Sequence, residues 1–234
     1  MSIEIDLNQI HSWQSHYGEN DAFDLYVGCF SKHDPELKDG RLAMWRGYGD
    51  YGNGAAIVFD TSKLQPVDEN PLILAPVNYA NDEDRYQWCK QKVNRIAHHI
   101  SEEGLVNKDI REAAYHVFQR FLLFSLFSKH IGFSEEEEWR VVYLKDRDRD
   151  SLFTSMFGYA HGKLGLEPKL KLKLNSSTPY FPPDFRFTDV VHSIIIGPRA
   201  SSPLSVFATH RMLEQIGKGD LSERVHECKI PFRA

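Results

Sequence analysis

The chain has 234 residues, 41% of them hydrophobic, 26% charged and 12% aromatic, with a formal net charge of -5. That profile belongs to a globular protein long enough to bury a substantial core. The mild acidity excludes a protein whose whole surface grips nucleic acid, although it leaves room for a local basic patch.

The longest apolar stretch, Phe121 to Phe127, is bracketed by Arg120 and Lys129 and falls far short of the ~20 residues of a membrane-spanning helix, so no membrane partner is expected. The first residues carry neither a basic nor an apolar leader region, which predicts no export signal. Cys29, Cys89 and Cys228 are odd in number and widely spaced, a pattern that fits a reducing cytoplasm better than a disulfide framework or a zinc site.

In chain order, Leu25 to Ser31 reads as a short apolar strand and Gly54 to Asp60 as a second. The linker between them ends in Gly-Asp-Tyr-Gly-Asn-Gly, a glycine density that supplies turns with positive φ. Leu72 to Tyr79 reads as a third strand, pushed toward a sheet edge by Pro76. From Asp82 to Glu103, the residues Tyr86, Cys89, Val93, Ile96, Ala97 and Ile100 recur at helical spacing, and Gly104 is a stop signal. Asn107 opens a second helix running to about Lys129, apolar on nearly every side and therefore expected to be the central buried helix.

Glu138 to Leu144 returns to strand character, and the Asp146 to Asp150 run predicts a solvated turn. Glu167 to Leu174 alternates leucine and lysine, the clearest strand pattern in the chain. A proline-rich loop over 178–184 precedes a β-branched strand from Val190 to Gly197. Ser202 and Pro203 start a helix that carries Leu204, Phe207, Ala208, Met212 and Ile216, with Gly217 at its end. Arg224 to Ile230 supplies a last strand. These elements predict one α+β domain over 1–234, a mixed, mostly antiparallel sheet packed against two long central helices and one C-terminal helix.

No Walker loop, HExxH or GxSxG motif is present. His98 and His99 project about 100° apart on a helix and cannot share a metal from one face. Cys29 is either a nucleophile awaiting a histidine or a small buried strand cysteine. The run from Glu135 to Arg140 is either a solvated charge run or a functional pair of carboxylates. On a strand, Glu136 and Glu138 would share one face while Trp139 took the other. Met44 to Gly49 is a second dense cluster, in which Trp45, Arg46 and Tyr48 either grip a nucleotide or Trp45 pins a loop. The lysines at 169, 171 and 173 either meet phosphates or form the wet side of a strand.

Several segments together resemble a bacterial family known as domain of unknown function 2971. They are Cys29-Phe30-Ser31, Met44-Trp45-Arg46-x-Tyr48-Gly49, Gly54-x-x-Ile57-x-Phe59-Asp60, Val77-x-Tyr79 and Glu136-x-Glu138-Trp139-Arg140. Leu166-x-Pro168-x-Leu170-x-Leu172, Ile194-Ile195-Ile196-Gly197-Pro198 and Ile230-Pro231-x-Arg233 complete the set. The likeness runs from about residue 25 to the end, leaving 1–24 as a poorly matched lead.

A strand opening with Glu-x-Glu, followed by Val190 to Ile196, is also similar to the second half of ADP-ribosyltransferase-like folds. That likeness implies NAD or a related nucleotide as substrate; it names no metal-ligating residue and leaves any cofactor open. Glu138 would stabilise the oxocarbenium-like transition state, Glu136 would orient the acceptor, and Ser31, Trp45, Arg46 and Tyr48 would surround the ligand. It further implies a toxin or phage-defence setting. Members of the family usually begin with a Leu-Tyr-(Lys/His)-Tyr segment that Ile3 to Tyr17 does not show, which implies a shortened chain, a protein partner supplying that part, or a protein that does not perform that chemistry. A non-catalytic binding or regulatory module, with Trp45 and Trp139 in the core, is the alternative. A nuclease using Asp60, Glu136 and Glu138 on Mg²⁺ is a more distant one.

Overall fold

A computed structural model describes residues 25–34, 36–64, 70–103, 107–162, 165–173 and 184–232. Expectations that fall on residues 1–24, Gly104, Leu174, 178–183 and Arg233 lie outside the described residues. The α+β class holds. The chain divides into two compact units, the second built from Cys29–Lys32 and Leu74–Val141, the first from the remainder.

The first unit is organised by β9 (Val191–Ile196), which lies between β2 (Ala55–Phe59), antiparallel to it, and β10 (Val225–Glu227), parallel to it. Successive strand residues face opposite ways, and β9 is apolar on both sides. Ile194 packs with Val191, Leu213 and Leu221, whereas Ile195 packs with Trp45 and Cys228. A short helix, α4 (Phe187–Val190), precedes β9, so Val190, expected to open the strand, ends the helix instead. After it, α5 (Pro203–Gln215) begins where Ser202 and Pro203 predict, with the Ser202 hydroxyl accepting from the Ser205 amide. Gly217 follows its end at φ +70.

The glycine linker folds as expected. Gly52 has φ +84, and its carbonyl accepts from the Arg199 amide. α1 (Leu42–Gly47) precedes it, carrying Trp45 into the core.

The lysine–leucine strand is shorter than its alternation suggests. β8 spans Gly165–Leu170 because its antiparallel partner β7 (Phe157–Gly162) ends the ladder at Phe157 opposite Leu170. Asp148 corrects the expectation of a solvated turn. It is buried and accepts hydrogen bonds from the Tyr143 hydroxyl and from the amides of Leu152 and Phe153. Three donors offset the cost of burying this carboxylate.

A second sheet has the order β1 (Leu25–Ser31), β6 (Glu138–Leu144), β3 (Leu72–Pro76). The predicted third strand is in fact two. The Val77 amide still donates to the Glu138 carbonyl of β6, whereas β4 (Asn78–Ala80) pairs in parallel with β5 (Ser128–His130) in another sheet.

The second unit carries α2 (Asp82–Glu103) and α3 (Asn107–Leu126). The Asn81 side chain caps α2 by accepting from the Asp84 amide, and three acidic residues fill its first turn, where the helix dipole favours them. Its inward stripe is rotated from the expected one. Tyr86 and Val93 are exposed, and Trp88 instead stacks on Phe124 with centroids 3.9 Å apart and planes at 8°. None of the described side chains of α3 is fully buried, so it is half-buried and not the deeply buried helix its composition suggests. Among the described residues, no helix is long and apolar enough to cross a membrane.

Candidate functional site

The densest polar cluster lies wholly within the second unit. β5 supplies Lys129, a 3-10 turn over Ile131–Glu136 reverses the chain, and β6 opens at Glu138. Glu137 sits between them in the left-handed region at φ 41. This turn, and not strand alternation, brings the two carboxylates together, since Glu136 ends the 3-10 segment before the strand begins. The His130 ring nitrogen caps the turn by accepting from the Gly132 amide.

Lys129 donates from Nζ to Glu136 Oε2 at 2.5 Å and to Glu138 Oε2 at 3.0 Å. Arg140 donates from Nε to Glu138 Oε1 at 2.9 Å and from Nη2 to Glu138 Oε2 at 3.3 Å. Its Nη1 donates to the Leu126 carbonyl at 2.5 Å, placing a cation on the C-terminal end of α3, where the dipole is negative. The Glu138 amide donates to the Tyr79 hydroxyl, and the Ser31 hydroxyl donates to the Glu136 carbonyl.

These contacts set the charge states. Burial pushes the Glu138 carboxyl up, but hydrogen bonds from Arg140, Cys29 and Lys129 outweigh it and hold the group at about 2. Burial likewise pulls Lys129 down, and its bonds to Glu136 and Glu138 more than reverse that, leaving it above the ordinary lysine range. Burial, then the neighbouring Glu138 carboxylate, pushes the Cys29 thiol up. Cys29 is solvent-exposed, which corrects the reading of a buried strand cysteine, yet its raised thiol is the opposite of an activated nucleophile.

Of the residues singled out from the sequence, Ser31, Glu136 and Glu138 therefore meet in one place. Trp45, Arg46 and Tyr48 belong to the first unit. Trp45 is buried and donates from Nε1 to the Asp39 carbonyl, whereas Arg46 and Tyr48 face solvent. Gly49 packs against the Trp45 ring so closely that a Cβ there would lie 2.7 Å from it. His98 is a surface residue within 3.4 Å of Glu102. Trp139, assigned to the core in the non-catalytic alternative, is 37% exposed. Among the described residues, no group of three histidine, cysteine or acidic side chains is arranged to hold a metal ion.

Sequence reasoning missed Lys129, Arg140 and Tyr79 as members of the cluster. The Glu138 and Arg140 pairing was legible, because residues two apart on a strand share a face. Lys129 carried no such signal, since only the intervening turn returns it to Glu138.

Residues 44–141 match the model of a family described as Protein of unknown function (DUF2971). Over that stretch, less than half of its length, the chain is similar to that family. The matched stretch contains Trp45, Arg46, Tyr48, Tyr79, Lys129, Glu136, Glu138 and Arg140, whereas Cys29 and Ser31 precede it. No curated protein and no solved structure matches the chain.

Proposed function

We propose that this chain acts by binding, and that Glu138 is an internal brace of the second unit and not the catalytic carboxylate of an NAD-cleaving centre. One observation carries the reading: Glu138 is 6% exposed and both of its oxygens are held by cations. Stabilising an oxocarbenium-like transition state requires an uncompensated negative field facing the developing charge. Here two carboxylates stand against Arg140 and Lys129, and the charges cancel. Incubation of the full chain with NAD is expected to release no nicotinamide. Release that disappears in Glu138→Gln would overturn the proposal.

A second reading, as an ADP-ribosyltransferase-like enzyme, is favoured by the convergence of Glu136 and Glu138 on Lys129. In it, a ligand would displace Lys129, Glu138 would face the ribose of NAD, and Glu136 would orient the acceptor. A toxin or phage-defence setting, and a protein partner completing the NAD site, belong to that reading. The same assay decides between the two.

A further inference from the structure

A groove of about 430 Å³ lies between α5 and β10 in the first unit, lined by Pro203, Val206, Phe207, His210, Val225 and Glu227. Two periodicities meet there. Residues 203, 206, 207 and 210 form one stripe of α5, and Val225 and Glu227 point the same way from β10 while His226 points to solvent. Most of the wall is apolar. The two polar groups on it are unsatisfied among the described residues. Glu227 is half-buried with no ion pair or hydrogen bond to its carboxylate, and the His210 Nε2 is shielded from water with no hydrogen-bond partner. β10 also stands at the edge of the described sheet, in the order β10-β9-β2; on its outer side the Val225 amide donates to the Ser222 carbonyl, and no described strand neighbours Glu227 there.

We propose that this groove binds an extended segment of a partner protein, which adds to the outer edge of β10 and places a lysine or arginine side chain against Glu227. The strand edge supplies backbone hydrogen bonds and the groove supplies side-chain selection, the division of labour in strand addition. The aliphatic stem of a basic side chain covers Phe207, Val206 and Val225, and its charged end meets the carboxylate. A neutral side chain of the same length would desolvate Glu227 further without pairing it, which is the source of discrimination. A peptide backbone offers the orphaned His210 nitrogen both a donor and an acceptor, whereas a simple alkylammonium offers donors alone. The inference goes beyond the reading of Glu138 and rests on the first unit alone, so the NAD assay leaves it untouched.

The test titrates the ¹⁵N-labelled full chain with acetyl-Val-Thr-Lys-Val-Thr-amide and with the same peptide carrying norleucine for lysine. The lysine peptide is expected to shift the amides of Val225–Glu227 and α5, and to bind about tenfold more tightly than the norleucine peptide. Glu227→Gln is expected to abolish that preference, and Phe207→Ser, at an exposed ring, to weaken both peptides alike. Equal affinities, shifts confined to other regions, or a preference that survives Glu227→Gln would overturn the proposal. So would n-butylammonium producing the same shifts at the same concentrations, because the backbone would then contribute nothing.

Discussion

Arg140 grips the carboxylate of Glu138 from two positions further along the same strand, with Nε 2.9 Å from one oxygen and Nη2 3.3 Å from the other. The pair works because alternate strand residues share a face, and because Lys129 arrives from β5 to complete the charge balance. The unit therefore holds a closed network of ions, and its parts are sensitive to removal of any one of them.

Glu138→Gln is expected to destabilise the second unit by about 3 kcal/mol, since it leaves two partly buried cations facing a neutral amide. Trp139→Ala should cost about 2 kcal/mol, less than Glu138→Gln, because the indole is 37% exposed and loses only part of its burial. This order reverses the non-catalytic alternative of the sequence analysis, in which Trp139 stands in the core. Hydrogen exchange of the β6 amides, measured in both variants, checks the ranking.

Acid should weaken the same region. In the folded chain Glu138 stands at about 2, below its ordinary value of 4.5. A depressed carboxyl contributes stability that is complete above its unfolded value and lost as the pH falls through the folded one. Protection of β6 amides is therefore expected to hold down to about pH 5 and to decline toward pH 2. Glu138→Gln should remove most of that decline; an acid profile identical to the parent would show that other carboxyls are responsible.

The Cys29 thiol provides a reporter of the network. Burial and the adjacent Glu138 carboxylate hold it above its usual value, so at pH 8 it should react slowly with iodoacetamide despite its exposure. Glu138→Gln removes the carboxylate and leaves Arg140 nearby, which favours the thiolate. Alkylation of the Cys29 peptide, followed by mass spectrometry against the Cys89 peptide, should accelerate severalfold. No change in rate would mean that Glu138 does not control the thiol.

Gly197 tests the glycine loop of the first unit. A Cβ at this position would lie 2.5 Å from the Gly52 carbonyl oxygen and 2.6 Å from that of Gly54. Both neighbours are backbone, and the Gly197 amide itself donates to Gly54, so neither strand can retreat without breaking the pairing. Gly197→Ala is expected to cost about 3 kcal/mol or more in a denaturant melt. Gly47→Ala, where a Cβ would meet nothing within 4 Å, is the matched control and should be near neutral.

The sequence by itself determined the local elements whose signals are short in range. β1 and β6 fall where apolar runs place them, α5 begins at its serine and proline, and Gly217 follows its end. It also singled out Glu136 and Glu138 as a pair, which the structure brings together on Lys129, and the family resemblance drew attention to Tyr79 and Arg140 without giving them a role. Only the tertiary structure decided what surrounds those carboxylates. Lys129 reaches them through a turn that depends on Glu137 adopting the left-handed region, which no periodicity reveals. The exposure of Trp139, the rotation of the α2 stripe toward Trp88 and Phe124, and the burial of Asp148 followed in the same way. Amphipathic patterning records how much apolar surface a segment carries. Which partner covers that surface, and which charge is left to neutralise, is settled by residues far away in the chain.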